Sequence, residues 1–415
     1  MVPSGWVRHL GSEITTKITK GSSPKWQGFD YQSEGTLFIT SENVRDGFLD
    51  VSKPKYLPLE FNQKLKNSQL QQGDILINIV GASIGRSCQY DLSEQQANIN
   101  QAVCLFRTNE LAESDFIQQY LQLPSTINRL LGTQSESARP NLSLSDMRDF
   151  LFALPPLPEQ RKIAKILSTW DKAISTTEKL IATSQQQKKA LMQQLLTGKK
   201  RLVNPDTGKV FEGEWEEVKL DDLALYRRGS FPQPYGNPEW VDEVNGYPFI
   251  QVFDIDKNMK LKKATKTKIS DAAIDKSVFI EAGTVIVSLQ GSIGRVAITQ
   301  YDAYVDRTVL LFQSFKRKMD TIYFAYAIQE LFEIEKEKAP GGTIKTITKQ
   351  VLSNFTIKVP THYEQQKIAS VLTAADKEIE LLQAKLAHLK DEKKALMQQL
   401  LTGKRRVKVD ENVAA

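Results

Sequence analysis

The stretch Lys188-Lys189-Ala190-Leu191-Met192-Gln193-Gln194-Leu195-Leu196-Thr197-Gly198-Lys199 recurs without a change as Lys393 to Lys404. The copies stand at an offset of 205 residues in a chain of 415. An identical 12-mer half a chain away marks a duplication, and a repeat decides how the rest is read. Upstream of the first copy, Pro158 and Glu159 suit a first helical turn, and no glycine or proline follows before Gly198. Ile163, Leu167, Trp170, Ile174, Thr177, Ile181, Ser184, Lys188, Leu191 and Leu195 step by alternating four and three residues, a heptad seam. The second half repeats it at Ile368, Leu372, Ala375, Ile379, Leu382, Leu386, Leu389, Lys393, Leu396 and Leu400. Gly198 and Gly403 are placed as C-cap glycines, and Lys199-Lys200-Arg201 and Lys404-Arg405-Arg406 favour the negative helix ends.

Each rod of about 40 residues is roughly 60 Å long. Alone it cannot bury its seam. Two gapless, equal rods from one duplicated chain are expected to pair antiparallel about a pseudo-twofold, with a globule at each end, and to act as a ruler between two heads. The expected fold class is α+β: two pseudo-twofold-related α/β recognition domains joined by two long antiparallel helices forming a coiled coil. The expected boundaries are a first domain at 1–154, a helical spacer at 155–201, a linker at 202–214, a second domain at 215–358, a second spacer at 359–404 and a disordered tail at 405–415.

The heads carry the same framework. Gly73 to Val80 reads as a buried strand, ending in Gly81-Ala82-Ser83-Ile84-Gly85-Arg86. That segment is read as a hairpin turn rather than a phosphate cradle. It is answered by Gly283 to Arg295, and the strand Thr36 to Thr40 by Tyr247 to Val252. Phe116 to Leu131 reads as one amphipathic helix, answered by Tyr323 to Gln329. Elsewhere the heads differ: Asn43, Arg45, Asn100 and Gln101 stand against Asp254, Asp256, Asp306 and Arg307. The heads therefore share a fold and read different things, or these residues are solvated loop surface.

Composition excludes several classes. No apolar run approaches the ~18 residues of a membrane span. The first residues, Met1-Val2-Pro3-Ser4-Gly5-Trp6, lack a signal-peptide pattern. Two cysteines, Cys88 and Cys104, make no disulfide framework, so a reducing cytoplasm is expected. The net charge of +6 is compatible with nucleic acid. There is no G-x-G-x-x-G and no phosphate loop. Asn237-Pro238-Glu239-Trp240 lacks the second proline of an amino-methyltransferase signature and is read as a turn. His9, His362 and His388 are scattered, and the cysteines lack metal-ligand spacing. No catalytic, cofactor or metal residue is assigned. Lys257, Lys260, Lys262, Lys263, Lys266, Lys268 and Lys316-Arg317-Lys318 give a basic set suited to phosphates, or a solvated lysine face.

The paired rods, each opened by a Pro-Glu-Gln-Arg-Lys-Ile-type start (Glu159 to Ile163 after Pro155; Glu364 to Ile368 after Pro360) and closed by Leu-Leu-Thr-Gly-Lys, with Gly-Ser-Ile-Gly-Arg at 291–295, resemble the specificity subunits of type I restriction–modification systems. The departure is Thr361-His362-Tyr363 where the first rod has Pro156-Leu157-Pro158. The resemblance implies a non-catalytic subunit that binds double-stranded DNA. Each head would read half of an asymmetric bipartite site, and the helices would set the spacer and dock two methyltransferase subunits. S-adenosylmethionine, ATP and Mg would belong to the partner methyltransferase and restriction/translocase subunits, in the cytoplasm. The residues expected on DNA are Lys25, Asn43, Arg45, Arg86, Asn100 and Gln101 in the first head, and Arg228, Lys262, Lys263, Arg295 and Arg307 in the second. Those expected at partner docking are Lys188, Gln193, Gln194, Lys393, Gln398 and Gln399, with Lys188 and Lys393 reaching the rim of the seam. The alternatives are a specificity subunit whose partner both cuts and methylates, a stand-alone DNA-binding repressor, and a pure coiled-coil scaffold.

Overall fold

The computed structural model describes residues 3–93, 95–132, 141–338 and 349–409. The chain divides into two compact units, Met1–Glu178 with Lys385–Ala415, and Lys179–Ala384.

In the first unit an antiparallel sheet has the order Thr15–Lys20, Val103–Thr108, Ile75–Asn78, Ser87–Gln89. A second sheet orders Tyr56–Leu57, Thr36–Ile39 and Ala97–Ile99, the last two parallel. Ile75 and Ile77 share one core with Phe106, Phe116 and Phe152, whereas Leu76 joins Leu37, Ile39, Ile99 and Leu105 in another. The strand is covered on both faces, which is why it reads as an apolar run rather than an alternation. The pair Val7–Leu10 and Leu151–Leu154 closes the domain next to the long helix.

The second unit repeats this. Its antiparallel sheet runs Ala224–Arg228, Val309–Phe315, Val285–Ser288, Val296–Ile298, and its mixed sheet Thr267–Ile269, Tyr247–Ile250, Ala303–Val305, Val278–Ile280. Glu216–Lys219 pairs with Thr356–Val359. Asn237 caps the short turn Pro238–Trp240 through Glu239 N, as its turn reading requires.

One helix is two. The expected helix at 116–131 is broken into Ser114–Leu121 and Pro124–Gly132. Pro124 opens the second piece because its missing N–H costs nothing in a first turn. The counterpart in the second unit is a single helix, Thr321–Lys338, longer than expected.

The long helices are Leu157–Leu195 and His362–Leu400, 39 residues each. Every seam position is buried or half-buried. In the first unit Ile163 and Leu167 share a core with Met397 and Leu400. In the second, Leu195 and Leu196 share one with Ile368 and Leu372. In each unit the start of one helix therefore lies against the end of the other, and the pairing is antiparallel.

The starts match despite their different sequences. Gln160 Nε2 donates to Pro155 O at 2.9 Å and Gln365 Nε2 to Pro360 O at 2.9 Å. Thr361-His362-Tyr363 thus leaves the geometry of the helix start unchanged. The basic ends do more than complement a dipole. Arg406 grips buried Glu159 at 2.7 and 2.6 Å, and Arg201 grips buried Glu364 at 2.7 Å through two nitrogens. The expected tail is therefore tied down at Arg406, and Val407 packs on the core of the first unit; 410–415 lie outside the described residues. The 202–214 linker is also structured. Asn204 N bonds Lys209 O at 2.8 Å, and Tyr363 Oη donates to Asp206 at 2.6 Å. Among the described residues no helix is long and apolar enough to cross a membrane.

Candidate nucleic-acid interface

In the first unit four connections gather at one end of the sheets. They follow Lys20, Ile39, Asn78 and Ile99. Register brings them together, since Ile39 pairs with Ile99, Asn78 with Val103, and Lys20 with Cys104. Gly21 N bonds Asn100 O at 3.0 Å, and a Cβ on Gly21 would lie 1.6 Å from Ile99 O, so only glycine allows this approach. Asn78 Nδ2 donates to Ser41 O at 3.0 Å and Ser83 Oγ at 3.1 Å, joining two of the connections. Gly47 N adds a bond to Ser87 O at 2.9 Å. The second unit builds the same end: Gly229 N bonds Val309 O at 3.0 Å, and a Cβ there would meet Val305 O at 2.1 Å.

The side chains that build these loops pair off between the units. Thr40 N donates to Asn43 Oδ1 at 2.9 Å, and Gln251 N donates to Asp254 Oδ2 at 2.9 Å. Ala102 N donates to Asn100 Oδ1 at 3.0 Å, and Thr308 N donates to Asp306 Oδ1 at 2.9 Å. Asn and Asp fill these places because their short oxygens cap nearby backbone N–H groups. Asn43, whose amide also donates to Asp50 O at 2.9 Å, is buried and has no side-chain atom left for a base. The expectation that Asn43 presents its side chain to DNA is corrected, because it holds a turn; half-buried Asn100 holds a turn through Oδ1. Gln101 turns its amide oxygen into the protein.

Other candidates do face solvent at this end. Lys25 is exposed on the short helix Pro24–Gln27. Arg45 and Arg86 are half-exposed, 3.4 Å from Asp50 and 3.7 Å from Asp46. In the second unit Arg228, Lys262, Lys263, Arg295 and Arg307 are all exposed at the corresponding end. Arg295 Nη1 donates to Ile255 O at 3.3 Å. The Arg307 guanidinium lies 5.4 Å from the Tyr235 ring centre. Tyr235 donates its hydroxyl to Asp306 at 2.7 Å, and burial together with that carboxylate pushes the phenol up to about 12.

The basic set separates. Lys316, Arg317 and Lys318 follow the far end of Val309–Phe315, about 20 Å from the loops by strand rise. Arg317 is spent on Glu216 at 2.7 Å. Lys260 is spent on Glu380 of the second long helix at 2.5 Å. Of the others, Lys262 and Lys266 lie 5.9 and 5.2 Å from the Phe253 ring centre. Exposed aromatics at the loops are the feature that sequence reading missed: Trp26, Phe48, Tyr235 and Phe253. Apolar residues inside polar loops were the available signal.

The family model for the type I restriction modification DNA specificity domain matches residues 27–183 and again 212–391, one match per half of the repeat. The chain belongs to this DNA specificity family. It is similar to the type I restriction enzyme MjaVIII specificity subunit of Methanocaldococcus jannaschii, 26% identical over 98% of this chain and 94% of the relative. It is also similar to the EcoBI specificity subunit of Escherichia coli, 24% identical over 88% and 78%. A chain solved in work on the assembly and conformational transition of the type I system shares the fold, with a TM-score of 0.61, 20% identity and coverage of 97% and 98%. The S subunit from M. genitalium does so with a TM-score of 0.55, 13% identity and 96% of both chains.

On the long helices, Gln193, Gln194, Gln398 and Gln399 are exposed. Lys188 and Lys393 are not on the rim as expected. Lys188 Nζ lies 2.6 Å from Asp376 and Lys393 Nζ 2.5 Å from Asp171.

Proposed function

We propose that this chain is the non-catalytic specificity subunit of a type I restriction–modification complex, acting in the cytoplasm on double-stranded DNA. Domains 1–154 and 215–358 each read one half of an asymmetric bipartite site. The helical segments 155–201 and 359–404 set the spacer between the halves and dock two methyltransferase subunits. S-adenosylmethionine, ATP and Mg belong to those subunits and to the restriction/translocase subunits.

The observation that carries this reading is the contrast at the loop ends. The turn scaffolds match residue for residue (Asn43 with Asp254, Asn100 with Asp306), while the exposed side chains around them differ. A shared frame with different exposed polar groups suits two readers of different base sequences. The exposed cations Lys25, Arg45 and Arg86 on one unit, and Arg228, Lys262, Lys263, Arg295 and Arg307 on the other, suit phosphate and base-edge contacts.

The test is methylation sequencing of a host carrying this gene with its neighbouring methyltransferase. The expected outcome is an adenine-methylated motif with two unlike halves and a fixed gap, lost when this gene is removed. Arg86→Ala and Arg295→Ala should each weaken binding of the complex to that motif and lower its salt dependence. A chain that binds one site tightly without a methyltransferase is a repressor instead. A partner that also cleaves on its own identifies the two-part system.

A further inference from the structure

We propose that Phe253 is an apolar wedge that enters the base stack of the half-site read by the second domain, with Lys262 and Lys266 taking flanking phosphates; this rests on the DNA-binding reading above. Phe253 is 40% exposed, at the loop end of the second unit. It sits in the turn Val252–Asp254, between half-buried Val252 and fully buried Asp254. Asp254 is fully buried, with Oδ2 accepting Gln251 N at 2.9 Å and Oδ1 accepting Lys266 N at 3.0 Å. Its own carbonyl accepts Lys262 N at 2.9 Å. One buried residue thus fixes the backbone on both sides of Phe253, holding Lys266 N through its carboxylate and Lys262 N through its main-chain carbonyl.

The lysine ammoniums stand 5.9 and 5.2 Å from the ring centre. Without DNA the ring's face attracts them. Phosphates attract an ammonium more strongly, which would draw both cations outward and leave a rigid apolar ring facing the groove. Apolar side chains presented this way part a base step and kink the duplex. The first unit has no such group at the matched place. With Asn43 equivalent to Asp254, the residue matching Phe253 is Glu42, an exposed acid paired with Lys55 at 2.8 Å. A wedge at this place therefore belongs to the second domain alone.

The test uses the full chain in complex with its methyltransferase partner, on a duplex carrying the sequenced motif. 2-Aminopurine is placed in turn at each base of both half-sites except the methylated adenine of each half, which a methyltransferase itself turns out of the stack. One position in the second half-site should brighten on binding, and Phe253→Ala should leave the first half-site unchanged. Phe253→Ala should lose that signal and weaken specific binding about 10-fold, while Phe253→Trp keeps both. Lys262→Ala and Lys266→Ala should keep the signal and each reduce the salt slope by about 1. Wild-type signal and affinity in Phe253→Ala, or site-selective binding with no brightening in the second half-site, overturns the wedge and leaves the DNA reading standing. Absence of site-selective binding by the wild-type complex overturns both.

Discussion

Lys188 Nζ lies 2.6 Å from Asp376 Oδ1, and each residue has a counterpart 205 positions away, Lys393 and Asp171, paired at 2.5 Å. Each lysine meets the aspartate of the other helix, the reciprocity of an isologous contact made within one chain. Asp376 also accepts from Tyr326 Oη at 2.5 Å, and Asp171 from Gln119 Nε2 at 2.7 Å. Lys188 and Asp376 are 14% and 25% exposed, so Asp376→Ala strands a nearly buried ammonium and should cost about 2–3 kcal/mol in urea unfolding. Asp171 is 44% exposed but its partner Lys393 only 11%, so Asp171→Ala also strands a nearly buried ammonium and should cost about 2 kcal/mol. Lys188→Met with Asp376→Asn keeps a partner for Tyr326 and should recover most of the loss. A double variant as unstable as Asp376→Ala would show that the pair is not the source.

The two glutamines at the helix starts make a matched prediction. Gln160 Oε1 accepts Glu113 N at 2.9 Å while its Nε2 serves Leu111 O and Pro155 O. Gln365 Oε1 accepts Asp320 N at 2.9 Å while its Nε2 serves Pro360 O. Each joins a globular domain to a long helix through part-buried backbone groups and one buried proline carbonyl. Gln160→Ala and Gln365→Ala should each lower stability by about 1–2 kcal/mol, since each leaves a buried proline carbonyl and a part-buried N–H without this partner. Hydrogen exchange should rise at Glu113 N in one variant and at Asp320 N in the other. Unchanged exchange at both would rule out this role.

Cys88 and Cys104 are free and buried in the first unit, and burial pushes both thiols up to about 12. Near pH 8 the folded chain then holds about one thiolate in 10,000, so a disulfide reagent should label neither cysteine until urea unfolds the chain. The same shift sets a pH dependence. Between the ordinary thiol value of 9.0 and about 12 the folded state keeps protons that the unfolded state releases. Stability from these groups is thus full below pH 9 and falls as pH rises through the window. Rapid labelling at pH 8 without denaturant would contradict the burial.

The long helices were legible because a heptad seam, a proline-led start and a glycine cap are local signals, and the duplication displayed each twice. The break at Pro124 was equally local, yet the amphipathic pattern on both sides masked it. Lys188 was misread because its partner lies on the other helix, at a position no spacing within one helix reveals. Residue type alone offers Asn43 and Asn100 as base readers. Their turn-capping role depends on bonds to Thr40 and Ala102, a competing use that asparagine always offers in loops. An apolar residue inside a polar loop signals Phe253 only weakly, because its exposure is a property of the folded loop, here fixed by the buried Asp254 beside it.

The repeated 12-mer yields the last prediction. Leu195 and Leu400 are buried, Leu191 and Leu396 half-buried, and Gly198 and Gly403 take left-handed φ of 72° and 68°, so folding explains their identity. Gln193, Gln194, Gln398 and Gln399 are exposed, and nothing in the fold requires glutamine at all four. Two surfaces that stay the same while their domains diverge fit two copies of one partner. Gln193→Arg with Gln194→Glu should remove one methyltransferase subunit from the complex, and the equivalent pair at 398 and 399 the other. Misplaced charge at a packed contact costs about 2 kcal/mol or more, roughly 30-fold in affinity. Native mass spectrometry of the co-purified complex reads the stoichiometry directly. Unfolding midpoints should not move, because the substituted side chains face solvent. Full occupancy in the fourfold variant would place the methyltransferase contacts on another part of the helices.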